Sequence, residues 1–319
     1  MLNLKKILLG WKPVYGVVQK SKRLVLPGFE GIPLYDAISF FFQEIKKDRL
    51  TDRAAAISFN FLLAIPPTCM FLFTLLPYIP LKNTESTIYQ VLADITPNMS
   101  TYQIIHDVVY DFLNTQRTGL LSLAFFLGIF SSSNAVIGIM HSFDKGHITF
   151  RTRTAFQRRW MAIRLTLLLL LVVVVSLCLI IGQRAIFQYL FDWLGVTNTL
   201  FIFSVNLTRW LIIILLFFTI ISAIYTYGPA TQKRWKFITA GSTLATILII
   251  LTTLGFSYFV NHFNSYNRIY GSIGSILVLM LWIFLNSLVL LIGFELNASI
   301  EMVRATADRR IAAEEKERI

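Results

Sequence analysis

The sequence predicts an all-α integral membrane protein built on six transmembrane helices, and three observations carry that prediction. Six long, nearly uncharged stretches recur along the 319 residues, at 54–79, 120–140, 165–183, 210–228, 237–263 and 269–294. The basic residues collect on alternate sides of these stretches. Hydrophobic residues make up 55% of the chain and charged residues 14%, with a mean hydropathy of +0.65, far from the balance of a soluble domain. At 1.5 Å of rise per residue, each stretch crosses a hydrocarbon core about 30 Å thick. Backbone N–H and C=O groups in lipid must be satisfied within their own segment, so each stretch is helical.

The net charge of +12 is a matter of topology. All but five of the 29 Lys and Arg fall in 1–53, 141–164, 229–236 and 301–319. The exceptions, Lys82, Arg117, Arg184, Arg209 and Arg268, are spread over the three remaining loops. This is the positive-inside pattern, and it puts both termini in the cytoplasm. A nucleic-acid partner is not expected, since no single folded face gathers these charges. Three parts follow: a cytoplasmic N-terminal segment at 1–53, a membrane domain at 54–300 and a charged cytoplasmic tail at 301–319. Lys5 and Lys6 precede only three apolar residues before Gly10, too few for a signal-peptide core, so the first span is expected to act as an uncleaved insertion signal. Cys69 and Cys178 lie within spans as small apolar residues, and no disulfide is expected.

Between the spans, residues 33–47 read as an amphipathic helix. Pro33 suits a first turn, and Leu34, Ile38, Phe41 and Ile45 repeat at helical spacing. Such a helix either lies on the cytoplasmic leaflet or packs on the end of the bundle. The long outer loop at 82–118 holds two short amphipathic patterns, one through Ile88, Val91, Leu92 and Ile95 that Pro97 stops, the other through Ile105, Val108, Val109 and Phe112. The outer loop at 184–209 carries Phe187, Tyr189, Phe191 and Trp193, residue types favoured at the water–lipid boundary. The tail at 304–319 reads as a frayed helix.

Catalytic chemistry finds little support in the residues. The histidines, 106, 141, 147 and 262, show no zincin spacing, no Cys–His cluster offers metal ligands, and neither a P-loop nor a Gly-x-Ser-x-Gly elbow occurs. No catalytic residue, metal or cofactor is expected. The in-span polar residues are more informative. Asn60 sits roughly 10 Å in from the cytoplasmic end of the first span, and Ser132, Asn134, Tyr225 and Asn286 fall at similar depth on three others. They are candidate lining of a polar vestibule open to the cytoplasm; the other reading is hydrogen bonding between helices without a cavity. Pro66 and Pro67 leave the carbonyls of Leu62 and Leu63 without helical donors, so the first span is expected to kink or break there, either as a transporter device or as ordinary membrane-helix structure. Glu295 lies roughly 37 Å along the sixth span. That depth makes it a candidate interfacial acid, paired with a basic loop residue in preference to a buried proton carrier. The small pairs Gly128/Ser132 and Gly271/Ser275 favour close helix packing.

Several blocks resemble the YihY/BrkB family of bacterial inner-membrane proteins: DRAAAISFNFLLAIPP at 52–67, SSSNAV with a downstream FDK at 131–145, YTYGP at 225–229 followed by KRWK and Gly241, and YNRIYGSIGSILVLMLWIFLNSLVLLIGFELNA at 266–298. Phe294 departs from the family's frequent Ala before Glu295. The resemblance covers roughly residues 35–300 and implies a six-span inner-membrane protein. Members have carried a ribonuclease BN label, a serum-resistance label and suggestions of transport, and the resemblance supplies no catalytic residues. The expected function is therefore a transporter, exporter or flippase-like permease for a small or amphiphilic molecule, with the lipid bilayer as its partner. The alternative is a non-catalytic membrane scaffold or envelope-integrity factor.

Overall fold

The computed structural model describes residues 19–21, 24–25, 28–29, 31–47, 49–75, 89, 102–103, 106–107, 110, 118–144, 153–194, 198–231, 234–262 and 272–317. Seven helices are described in chain order: α1 Leu34–Lys47, α2 Leu50–Leu75, α3 Thr118–Phe143, α4 Ala155–Leu194, α5 Asn198–Tyr227, α6 Ala240–His262 and α7 Ser272–Glu317. No strand is found among the described residues. The last six helices each carry a window long and apolar enough to cross a membrane, so the six-span fold class is the one observed.

The helix ends depart from expectation in four places. Residues 155–164, read as a cytoplasmic loop, open α4, and 184–194 continue it; α5 resumes at Asn198, so most of the expected 184–209 loop is helix. The sixth span does not end at Phe294. α7 runs on without interruption to Glu317, so the helix expected over 304–319 is continuous with the span; the Ala, Glu and Arg of the tail are strong helix formers. At Pro66 and Pro67, where a kink or a break is expected, α2 continues as helix through both. Membrane helices tolerate proline where neighbouring groups compensate for the missing backbone bonds. The two outer-loop helices fall almost wholly outside the described residues, as do Gly271 and the side chain of Ser275.

By packing, the chain divides into two compact units. The first comprises Met1–Ser58, Ile139–Thr154 and Phe217–Ile319. Within it α1 buries Ala37 and Phe41 against Leu296 and Ile300 of α7, with Phe29 and Ile32 completing the cluster. Gly28, at φ 90°, lets the segment before α1 approach the start of α6: a Cβ there would sit 2.9 Å from the Ala240 nitrogen. Helices α6 and α7 touch backbone to backbone at Gly241 and Gly293, where a Cβ on either would overlap the other's carbonyl oxygen.

The second unit comprises Phe59–Gly138 and Ala155–Leu216. Here α3 presents small residues to α2. A Cβ on Gly128 would lie 3.3 Å from the Pro67 carbonyl oxygen, and one on Gly138 would come within 2.8 Å of Asn60 Nδ2. Between them the Thr68 and Ser132 hydroxyls share a 2.7 Å hydrogen bond. The Gly128/Ser132 pair therefore serves helix packing.

Candidate functional site

The buried polar centre of the first unit is built from four separate stretches of chain. Asn297, on α7, caps α6 from outside: its Oδ1 accepts from the Gly241 N–H at 2.7 Å and its Nδ2 donates to Thr239 Oγ1 at 2.9 Å. Thr239 and Ser242 close the same terminus reciprocally, each hydroxyl taking the other's N–H at 3.1 and 3.0 Å. The first N–H groups of a helix have no partner inside it, so these bonds satisfy donors that burial would otherwise strand. At the end of α5, Arg153 donates to the carbonyls of Gly228 and Pro229 at 2.7 and 2.8 Å. Tyr225, wholly buried, donates its hydroxyl to the Leu290 carbonyl at 2.5 Å, against Gly293.

Glu295 lies on the same stretch of α7 and is 0% exposed. Arg53, in the first turn of α2 and 28% exposed, meets it at 3.6 Å. The acid is thus buried in protein and paired with a base, which comes from a helix and not from a loop. Beside it Phe294 stacks on Phe143 at a centroid distance of 4.2 Å and packs against Trp235 at 5.6 Å. The departure Ala to Phe at this position fills the space between two other aromatic rings.

The second unit holds a different polar cluster. Arg159, one turn into α4, donates from the same Nη1 to Ser133 Oγ at 2.9 Å and to Asn134 Oδ1 at 2.8 Å. Its guanidinium lies over the Phe130 ring, 4.7 Å from the centroid.

The five expected lining residues fall three in one unit and two in the other. In the second, Asn60 packs against Gly138, Ser132 bonds to Thr68 and Asn134 receives Arg159. In the first, Tyr225 bonds to α7 one turn from Asn286. Asn286 itself donates to the Trp282 carbonyl of its own helix at 2.8 Å, and its buried Oδ1 has no partner among the described residues. Sequence reasoning missed Arg53, Arg159, Arg153 and Asn297. The first three were counted as loop charges, and Asn297 was visible only as part of the GFELNA block.

The sequence profile of the virulence factor BrkB family matches residues 41–319. The ribonuclease-like protein YfkH of Bacillus subtilis is 28% identical over 256 residues, covering 80% of this chain and 92% of that protein. A UPF0761 membrane protein of Vibrio parahaemolyticus is 24% identical over 306 residues, covering 89% of this chain and 92% of its own. A UPF0761 membrane protein of Tolumonas auensis is 36% identical over a shorter reach of 77 residues, 24% of this chain and 26% of its own. No solved structure matches the chain.

Proposed function

Starting from the chain's membership of the virulence factor BrkB family of membrane proteins, we propose that it is a permease of the bacterial inner membrane, a transporter, exporter or flippase for a small or amphiphilic molecule, with both termini cytoplasmic. The observation that carries this reading is the Arg53–Glu295 pair, in which the carboxylate is fully buried and the guanidinium 28% exposed. Ionisable groups cost several kcal/mol to bury, and helix packing alone is served by the neutral bonds around them. A buried ion pair that can open and re-form is a two-state element of the kind alternating exposure requires. Within the second unit Asn60, Ser132 and Asn134 are proposed as polar lining, and within the first Tyr225 and Asn286 are. The reading is non-catalytic. The ribonuclease-like name belongs to the Bacillus relative, and this chain's histidines are not spaced to ligate a nuclease metal.

The test is reconstitution in liposomes with fluorescent phospholipid analogues in one arm and a panel of small amphiphiles in the other. Wild-type protein should move at least one of them, and Glu295→Gln, folded by gel filtration, should not. Equal transport by Glu295→Gln refutes the role of the pair. A second reading, the scaffold, is favoured by the Tyr225–Leu290 and Asn297–Gly241 bonds, which lock helices rigidly together. No movement of any probe by folded wild-type protein favours it.

A further inference from the structure

We infer that Arg159 and the face of α3 beside it form a binding site for the phosphate headgroup of an anionic amphiphile. Arg159 lies four residues into the candidate span Ala155–Ser176 of α4, next to apolar sequence in which an unmatched positive charge is costly. Guanidinium does not shed its proton in proteins, so the charge must be met by an anion or by solvent. Ser133 and Asn134 are neutral acceptors. They orient the group without cancelling its charge, and among the described residues no carboxylate stands within ion-pair distance of it.

The geometry leaves an open fork. Both of these hydrogen bonds come from Nη1. Five N–H donors belong to a guanidinium, so Nε and Nη2 present the edge that takes two oxygens of a phosphate side by side. The Phe130 ring beneath holds the plane of that fork. From Phe130 an apolar stripe continues along α3 through Phe126 and Leu123, and all three side chains are exposed, at 56%, 70% and 54%. Positions 123, 126 and 130 share one helical face and span about 10 Å. A charged fork at one end of an exposed apolar stripe matches a phosphate head followed by an acyl chain, and a free phosphate would leave the stripe unused.

Arg164 supplies an internal control. It lies over the half-exposed Trp160 ring at 5.1 Å, where general attraction of basic residues to anionic lipid would also act, but no polar side chain is shown orienting it.

The experiment is a thermal-stability titration of the full chain in neutral detergent with short-chain phosphatidylglycerol, short-chain phosphatidylcholine and inorganic phosphate. Transport is not measured, so its failure and that of the permease reading are separable. Phosphatidylglycerol should stabilise the wild type at concentrations where the other two do not. Arg159→Gln should weaken that effect about tenfold or more, the loss expected for a charge-assisted hydrogen-bonded contact. Arg164→Gln should leave it within about twofold. Equal weakening by both variants would mean diffuse attraction and overturn the site, as would wild-type behaviour of Arg159→Gln. Inorganic phosphate binding as tightly as the lipid, with the same Arg159 dependence, would overturn the amphiphile and assign the fork to a soluble phosphate. Should Arg159→Gln not fold, Arg159→Lys keeps the charge and loses the fork; undiminished binding by that variant overturns the proposal equally.

Discussion

Replacing Arg53 by Met should be among the most destabilising single changes outside the helix crossings. The pair stands at 3.6 Å with the carboxylate fully buried and the guanidinium 28% exposed. At an effective dielectric constant near 20, two unit charges at that distance attract by about 4–5 kcal/mol. Desolvation of Glu295 offsets much of this, so the intact pair contributes little net stability. Removing Arg53 withdraws the attraction while the desolvation cost stays. The expected loss is about 3 kcal/mol, the low end of the range for breaking a buried pair, because Arg53 is partly screened by solvent.

Replacing both residues, Arg53→Met with Glu295→Leu, should recover most of that loss, since apolar groups of similar volume need no partner. The assay is equilibrium unfolding in mixed micelles followed by tryptophan emission, with the four proteins of a double-mutant cycle compared under one condition. A coupling of about 2 kcal/mol or more is expected. Arg53→Met within about 1 kcal/mol of wild type, together with additive singles, would refute the reasoning: the two groups would then be neighbours without being electrostatic partners.

Three further outcomes are expected. Phe294→Ala should cost about 3–5 kcal/mol by opening a cavity between Phe143 and Trp235; tolerance of the change in the same unfolding assay would mean that the rings collapse onto one another. Gly293→Ala places a Cβ 2.5 Å from Tyr225 Oη and 2.7 Å from the Ala245 Cβ, so the helices must separate, at about 1–3 kcal/mol, and unchanged stability would argue against the crossing. For topology, a cysteine at Ser86 should react with an impermeant thiol reagent in intact cells, whereas one at Asp308, exposed at 71%, should react only after lysis; the opposite pattern would invert the orientation.

Spans were legible because lipid imposes one rule on every backbone group, and an apolar run of sufficient length can satisfy it in only one way. Helix ends obey no such rule. Arg158, Arg159 and Arg164 looked like loop because charge was taken to mark water, yet α4 begins at Ala155 and carries all three. Their long side chains let the backbone stay helical while the heads find polar partners or the interface. The same bias separates the sixth span from the tail helix, when α7 joins the two without a break on helix propensity and packing against α1.

The site divides along the same line. Asn60, Ser132, Asn134, Tyr225 and Asn286 were found because a polar group in an apolar run is conspicuous by itself. What each bonds to was not visible, since Tyr225 finds its acceptor 65 residues away on Leu290 and depth along a helix says nothing about azimuth. Glu295 shows the limit of depth most clearly. Rise per residue gives its position along the helix, but not that Arg53, more than two hundred residues earlier in the chain, is the base that meets it. The motif blocks at 52–67, 131–145, 225–229 and 266–298 carried that information without its geometry. Arg53, Phe143, Tyr225 and Glu295 come one from each block, and all four belong to the first unit. Tyr225 and the Phe294 ring beside Glu295 both pack on Phe143, and Arg53 closes on Glu295 itself. The blocks that mark the family thus supply the parts of one buried polar and aromatic centre, which is why the charge at position 295 is the place to test what the protein does.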